Sequence, residues 1–405
     1  MKNCLISNPG LSKEIKNKIS AIADCLENYP ETNKSLMGGK AGVALFWTYY
    51  SVFSESVDLH KRLVPLISEI FQGIRQGNSS PTFANGIAGI GWTIEHIKQN
   101  GFIDIDTDFI IGSLDDLLYP YMLKYIQSGD YDYLHGALGI GLYYLNRSSN
   151  PNIHIYISRL VDELERHGKS FSKGIAWESS LSIETEERGY NLSLSHGIAS
   201  IISILSRFYM GNNNSVKTAM IVEKAVNYLL GNKRDPKIFK YCFPSSSGSN
   251  DLPQWDSGRL AWCYNDLGVS MALWQAGQIF NNETWKQEAI DVLLNTTNIT
   301  DWKDAGVKDA GLCHGTAGIA HIYNRAYNYT GVEKFKESAI YWFDQSLKMA
   351  VFEDGLAGYK AFRIPKFGGI ENEYSFLEGI AGIGLAMISS ISDIEPSWDS
   401  ALLLS

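Results

Sequence analysis

The chain has 405 residues, 45% of them hydrophobic and 20% charged, with a formal net charge of −9. This is an ordinary globular composition with ample core-forming material, and its acidic balance removes the electrostatic basis for a nucleic-acid partner. The N-terminal residues lack the apolar h-region of a secretory signal, and no uncharged apolar run reaches membrane-spanning length.

In chain order, residues 12–27 read as an amphipathic helix, with apolar positions three and four apart. The same pattern returns at 107–127, 216–230 and 333–349. Between such stretches a small-residue turn recurs, followed by an apolar run. It appears as Gly39-Lys40-Ala41-Gly42, Gly86-Ile87-Ala88-Gly89, Gly136-Ala137-Leu138-Gly139, Gly315-Thr316-Ala317-Gly318 and Gly379-Ile380-Ala381-Gly382. Gly197-Ile198-Ala199-Ser200 and Asn265-Asp266-Leu267-Gly268 are variants of it. The runs that follow, such as 90–97 and 140–145, are apolar nearly all round, which suits a helix buried on most sides. Seven copies at intervals of 47 to 68 residues make a helical repeat. An open solenoid needs polar terminal caps, yet the last copy, 379–389, is as apolar as the middle ones. Closure is therefore expected: an all-α α,α-toroid, a double ring of seven inner and seven outer helices, forming one domain over residues 1–405. The glycines would let the inner-helix N-termini crowd together at one mouth, where a Cβ would clash. Residues 232–258, with Pro236, Pro244 and Pro253, read as a loop, and 169–195 and 352–376 are irregular enough to hold short strands of a small β-rich excursion.

The repeat register locates the mouth. Just before the first turn residue stand Gly38, Asn85, His135, His196, Tyr264, His314 and Glu378. One position earlier, two successive copies carry Cys263 and Cys313. Two thiolates and the adjacent imidazole of His314 suit zinc, and three protein ligands leave a fourth tetrahedral position open. Two thiolates also cancel the metal's charge, so such a centre suits holding a substrate thiolate better than activating water. His196, in the same register, is expected to serve as acid or base. His135 and Glu378 read as solvated side chains of the mouth, and Trp302-Lys303-Asp304 as a solvated face. Cys4, Cys25 and Cys242 read as structural or incidental, and an odd count at irregular spacings argues for reduced, cytosolic thiols over a disulfide framework.

Together, the repeats, Trp262-Cys263-Tyr264, Cys313-His314-Gly315 and Ser195-His196-Gly197 resemble the lanthionine synthetase C family (LanC cyclases) over residues 39–385. The resemblance implies an α,α-toroidal zinc enzyme of lantibiotic biosynthesis. It would add cysteine thiols of a dehydrated precursor peptide to dehydroalanine or dehydrobutyrine, closing lanthionine and methyllanthionine rings. It implies Cys263, Cys313 and His314 as zinc ligands, His196 as the catalytic histidine, and Arg259, Tyr264 and Asp132 as active-site residues. It also implies a dehydratase and an exporter as companions, which would hold a cytoplasmic protein at the inner face of the membrane. Asn265-Asp266-Leu267-Gly268 departs from the family's usual Gly-x-Pro-Gly, and His135 stands where relatives often carry another residue. In the expected chemistry His196 protonates the α-carbon, Asp132 orients His196, Arg259 stabilises the enolate and Tyr264 positions substrate, although these roles can be permuted. Two other readings stay open. One is a non-catalytic zinc-containing LanC-like protein that binds glutathione or peptide. The other is an α,α-toroid glycosidase using Glu378 and Asp132, which would leave the cysteine pair unexplained.

Overall fold

The computed structural model describes residues 4–27, 29–30, 33–55, 58–75, 80–147, 149–181, 187–211, 215–248, 258–364 and 368–405. Among the described residues, seven buried helices alternate with seven amphipathic ones. The buried set is α2 (Lys40–Ser54), α4 (Ile87–Gln99), α6 (Ala137–Asn146), α8 (Ile198–Gly211), α10 (Asp266–Ile279), α13 (Thr316–Thr330) and α15 (Ile380–Ile391). The amphipathic set is α1 (Pro9–Leu26), α3 (Leu59–Arg75), α5 (Thr107–Gln127), α7 (Ile153–His167), α9 (Val216–Leu230), α11 (Glu283–Thr296) and α14 (Glu333–Lys348). A single turn, α12 (Trp302–Ala305), is extra. Its Trp302 is half-buried and donates to Gln345 at 3.1 Å, so only Lys303 and Asp304 of that run are the solvated face expected.

Five of these seven buried helices begin in the same way. Asn33, Asp130, Asn191, Asp309 and Glu373 occupy one position, six residues before the first turn residue. In each, a side-chain oxygen accepts from the backbone N–H two residues on, at 2.9 to 3.3 Å. This side-chain mimic of a backbone turn folds the chain back so that the same residue's carbonyl can take an orphan N–H of the helix start. Lys40 N–H bonds Asn33 O in this way, and Thr316 N–H bonds Asp309 O. The tightness of the turn explains the glycines. A Cβ on Gly42, Gly139, Gly268, Gly318 or Gly382 would lie 1.9 to 2.3 Å from the carbonyl oxygen six residues earlier. The expected crowding of helices is thus secondary. Each glycine is pressed first against its own turn, and only then against a neighbouring repeat, as Gly42 is against Phe376 and Gly268 against Leu194.

The chain divides into two compact units. The first comprises Met1–Ser80, Ala84–Ile105 and Thr300–Asp399, and so holds repeats one, two, six and seven. Within it α15 packs against α1, α2 and α13, so the first and last repeats are neighbours. Backbone bonds run from repeat to repeat at one register position: Cys313 N–H to Leu377 O, Leu377 N–H to Met37 O, and Met37 N–H to Ala84 O. Strands β6 (Ala361–Phe362) and β7 (Ile370–Glu371) pair antiparallel in this unit. A buried charge cluster lies at its centre: Asp399 takes His321 Nε2 at 2.7 Å and Arg325 Nη2 at 2.8 Å, and His321 Nδ1 meets Ser389 Oγ at 3.0 Å.

The second unit comprises Pro81–Phe83, Asp106–Ile299 and Ser400–Ser405, with repeats three to five. Here α6 packs on α5, α7 and α8, α8 on α9 and α10, and α10 on α11. The irregular region before repeat four holds strands β1 (Lys169–Phe171), β2 (Gly174–Ala176), β3 (Ser179–Ser180) and β4 (Arg188–Asn191). β1 and β2 form an antiparallel pair, while β4 lies between β3 and β5 (Ser246–Ser247). The expected loop at 232–258 is therefore mostly irregular with one short strand, and its Pro253 lies outside the described residues. Ala401, Leu402, Leu403 and Leu404 are buried, and carbonyls of this segment accept from Tyr133, Trp262 and Gln275.

Candidate active site

Five of the expected residues come together in the second unit. The turn before α6 presents Asp132 and the turn before α8 presents His196, and His196 Nδ1 meets Asp132 Oδ2 at 2.6 Å. The other oxygen of Asp132 accepts the backbone N–H of His135 at 2.7 Å. Burial alone would raise the Asp132 carboxyl and lower the His196 imidazole. In each the mutual hydrogen bond and opposite charge win, so Asp132 is held below the usual carboxylate range and His196 above the usual imidazole range, with the nearby Cys263 adding to the latter. The bond also fixes the tautomer, leaving Nε2 to carry a mobile proton.

Cys263 is buried, and its neighbour Tyr264 lies with its ring centroid 6.3 Å from that of His196. Burial pushes the Tyr264 hydroxyl up. Ser195 secures the arrangement: its N–H and its hydroxyl both donate to the Cys263 carbonyl, at 3.2 and 3.1 Å. Arg259 Nη2 approaches Cys263 Sγ at 3.5 Å, a cation placed to favour thiolate over thiol. Asn265, where the other copies carry glycine, adopts φ +63° and ψ −152°, a region that a residue with a side chain occupies only under strain. Asn265 Nδ2 donates to Phe243 O, and the Asp266 carboxylate takes the N–H groups of Cys242 and Phe243, both at 2.8 Å. The departure from Gly-x-Pro-Gly therefore ties the Tyr241–Phe243 stretch to the start of α10.

A cavity of 590 Å³ opens beside the pair, lined by Asp132, His135, His196 and Tyr264 together with Leu181, Arg188 and Asn191 of the β3–β4 excursion. The sequence offered only irregularity at 169–195 as a sign of this wall.

Cys313 and His314 belong to the first unit, at the turn before α13, and both are half-buried. His314 Nε2 stands 3.4 Å from Asp309 Oδ2, and Asp309 is itself fixed by the N–H groups of Gly311 and Phe362. A buried carboxylate behind an imidazole is the arrangement that orients a metal-binding histidine and raises its basicity. All five cysteines are reduced thiols. Among the described residues, no group of three or more His, Cys, Asp and Glu side chains stands close enough together to hold a metal ion. What bears on zinc is the chemistry around each expected ligand: a cation beside one thiol, a carboxylate behind the imidazole, and a soft donor set. That chemistry fits zinc. Glu378 is ion-paired with Arg363 at 3.0 Å. Among the described residues, no helix is long and apolar enough to cross a membrane.

A family model described as lanthionine synthetase C-like protein matches residues 30–403. The nisin biosynthesis protein NisC of Lactococcus lactis subsp. lactis is 22% identical over 399 residues, covering 93% of this chain and 90% of that protein. A solved structure of nisin cyclase superposes with a TM-score of 0.75 at 19% identity, covering 98% of both chains. The all-α toroid fold class expected from the sequence is the one this match shows. A sugar epimerase from a ruminal bacterium gives a TM-score of 0.45 at 12% identity.

Proposed function

The chain belongs to the lanthionine synthetase C-like family, and from that premise we propose that it is a zinc-dependent lantibiotic cyclase. It would close thioether rings by adding precursor-peptide cysteine thiols to dehydroalanine or dehydrobutyrine. The observation that carries the proposal is the His196–Asp132 pair at the wall of a 590 Å³ cavity, with the Arg259–Cys263 contact in the same unit. An acid held in its charged form is what an enolate intermediate requires.

Cys263, Cys313 and His314 are assigned as the zinc ligands on their shared repeat register and donor chemistry. When bound, zinc would supply a site at which an incoming thiol gives up its proton. The remaining steps fall to this chain's own side chains. His196 delivers a proton from Nε2 to the α-carbon after the sulfur has added to the β-carbon. Asp132 holds the imidazole in the tautomer and orientation for that delivery. Arg259 supports thiolate at Cys263 and offers charge to the developing enolate oxygen. Tyr264 closes the wall and positions peptide. Residues 1–405 would act as one catalytic domain in the cytoplasm, with a dehydratase and an exporter as companions at the inner membrane face.

Ring closure conserves mass, so the test counts thiols. A dehydrated cysteine-containing precursor peptide is incubated with the protein and then alkylated. The proposal expects alkylatable thiols to disappear. Thiols that remain fully alkylatable, while the peptide still binds, would favour a non-catalytic binding protein.

A further inference from the structure

A second imidazole stands beside the first. The rings of His135 and His196 lie nearly parallel, 17° apart, with centroids separated by 6.1 Å. Both line the same cavity. Asp132 serves both residues, one oxygen taking the His196 ring and the other the backbone N–H of His135. We propose that His135 is the base that takes up the substrate thiol's proton, so that His135 and His196 work as a complementary base and acid across one cavity.

The inference rests on the cyclase reading, whose chemistry needs both roles in one turnover. The thiol S–H bond breaks and its proton passes to neutral His135. The sulfur lone pair forms the C–S bond at the β-carbon, and the electrons of the dehydro double bond move to the α-carbon and its carbonyl. Charged His196 then gives its proton to the α-carbon. The proton on His135 returns to His196 through the solvent in the cavity, so nothing is consumed and no external base is required. The surroundings suit this division of labour. Although His135 is exposed, partial desolvation at the cavity wall pulls its imidazole down, and the neighbouring His196 charge acts in the same direction. Asp132 and Asp130 oppose, and the result stays below the ordinary value, whereas His196 is held above it. Neighbouring groups whose environments push them apart are how a site keeps one base and one acid at a single pH.

The test compares the wild type with His135→Phe, which keeps a ring in place, and His135→Gln, the milder change. Each is assayed for thiol loss from the dehydrated peptide across about pH 5 to 9. Both variants are expected to close rings about 10²-fold more slowly. Both should lose the acid limb of the rate profile and regain rate on addition of free imidazole. Variants within about twofold of the wild type overturn the assignment. So do slow variants that keep the acid limb and ignore imidazole, which would make His135 a positioning residue. A wild type that closes no ring overturns the cyclase reading and this inference with it. A wild type that closes rings while the variants match it overturns only the role of His135.

Discussion

Asp132 is a two-handed residue, and its effect on His196 can be measured. The bond from Oδ2 to Nδ1 holds the imidazolium, so the acid form persists to higher pH than an ordinary histidine allows. His196 is competent below its own pKa and fails above it. In Asp132→Asn the support is lost, so the basic limb of ring closure should move to lower pH and the plateau rate fall about 10²-fold. A limb that stays in place would remove Asp132 from this role. At this scale the sequence was informative in a specific way. Repeat register placed His196, Cys263 and Tyr264 on equivalent turns, and the structure puts His196 and Tyr264 on one cavity wall. Register could not reveal that Arg259 approaches Cys263 or that Asp309 backs His314. Each contact is made within a single turn and depends on the side-chain conformations there, which spacing does not encode. Register placed His135 among the solvated side chains, and it is exposed in the structure, but its parallel approach to the His196 ring has no one-dimensional signature.

The turn-and-helix element carries the architecture. Its glycines were legible because the pattern repeats, but their reason was not. They answer the turn each helix folds back upon, which in five of the seven copies is built by an Asn, Asp or Glu six residues before the first turn residue. That recurring side chain is visible in the sequence, scattered among three residue types, and so passes as ordinary polarity. Two substitutions in the first unit separate this cause from backbone freedom. Gly382→Ala would place a Cβ 1.9 Å from Phe376 O, and should lower stability by about 3 kcal/mol in urea unfolding. Gly101→Ala meets nothing within 4 Å and costs only its positive φ of +72°, about 1 kcal/mol. Equal losses would refute the close-approach account. The amphipathic helices were legible to within a residue or two at 107–127, 216–230 and 333–349, because a 3.6-residue period persists over many turns. The two- to four-residue strands of the excursions were not, since no period can develop in so few positions.

For the molecule as a whole, two buried carboxylates set opposite pH dependences. Asp399 is fully buried, and burial would raise its carboxyl. The charge and bonds of Arg325, with the bond from His321, outweigh that and hold it well below the usual range. Its stabilisation is present above about pH 3.9, the unfolded value, and disappears as pH falls through the folded one. Asp399→Asn should cost about 3 to 5 kcal/mol at neutral pH by stranding Arg325, and should flatten the acid end of the stability curve. Asp266 runs the other way. Burial pushes it up to about 6 against two backbone N–H bonds, so its contribution is full below about pH 3.9 and is lost as pH rises through 6. Asp266→Asn should remove that decline, and a decline that persists in this variant would assign it to another group. The placement of residues 401–404, buried in the second unit, was missed because four apolar residues alone do not say where they dock.

The most direct test of the central claim is made on Cys313→Ala. Zinc content, helical circular dichroism and ring closure on a dehydrated peptide are measured in the same preparation. The account predicts lost zinc, lost rings and retained helicity, because the helices supply the core and the thiol supplies the chemistry. Ring closure by a zinc-free Cys313→Ala protein would contradict it.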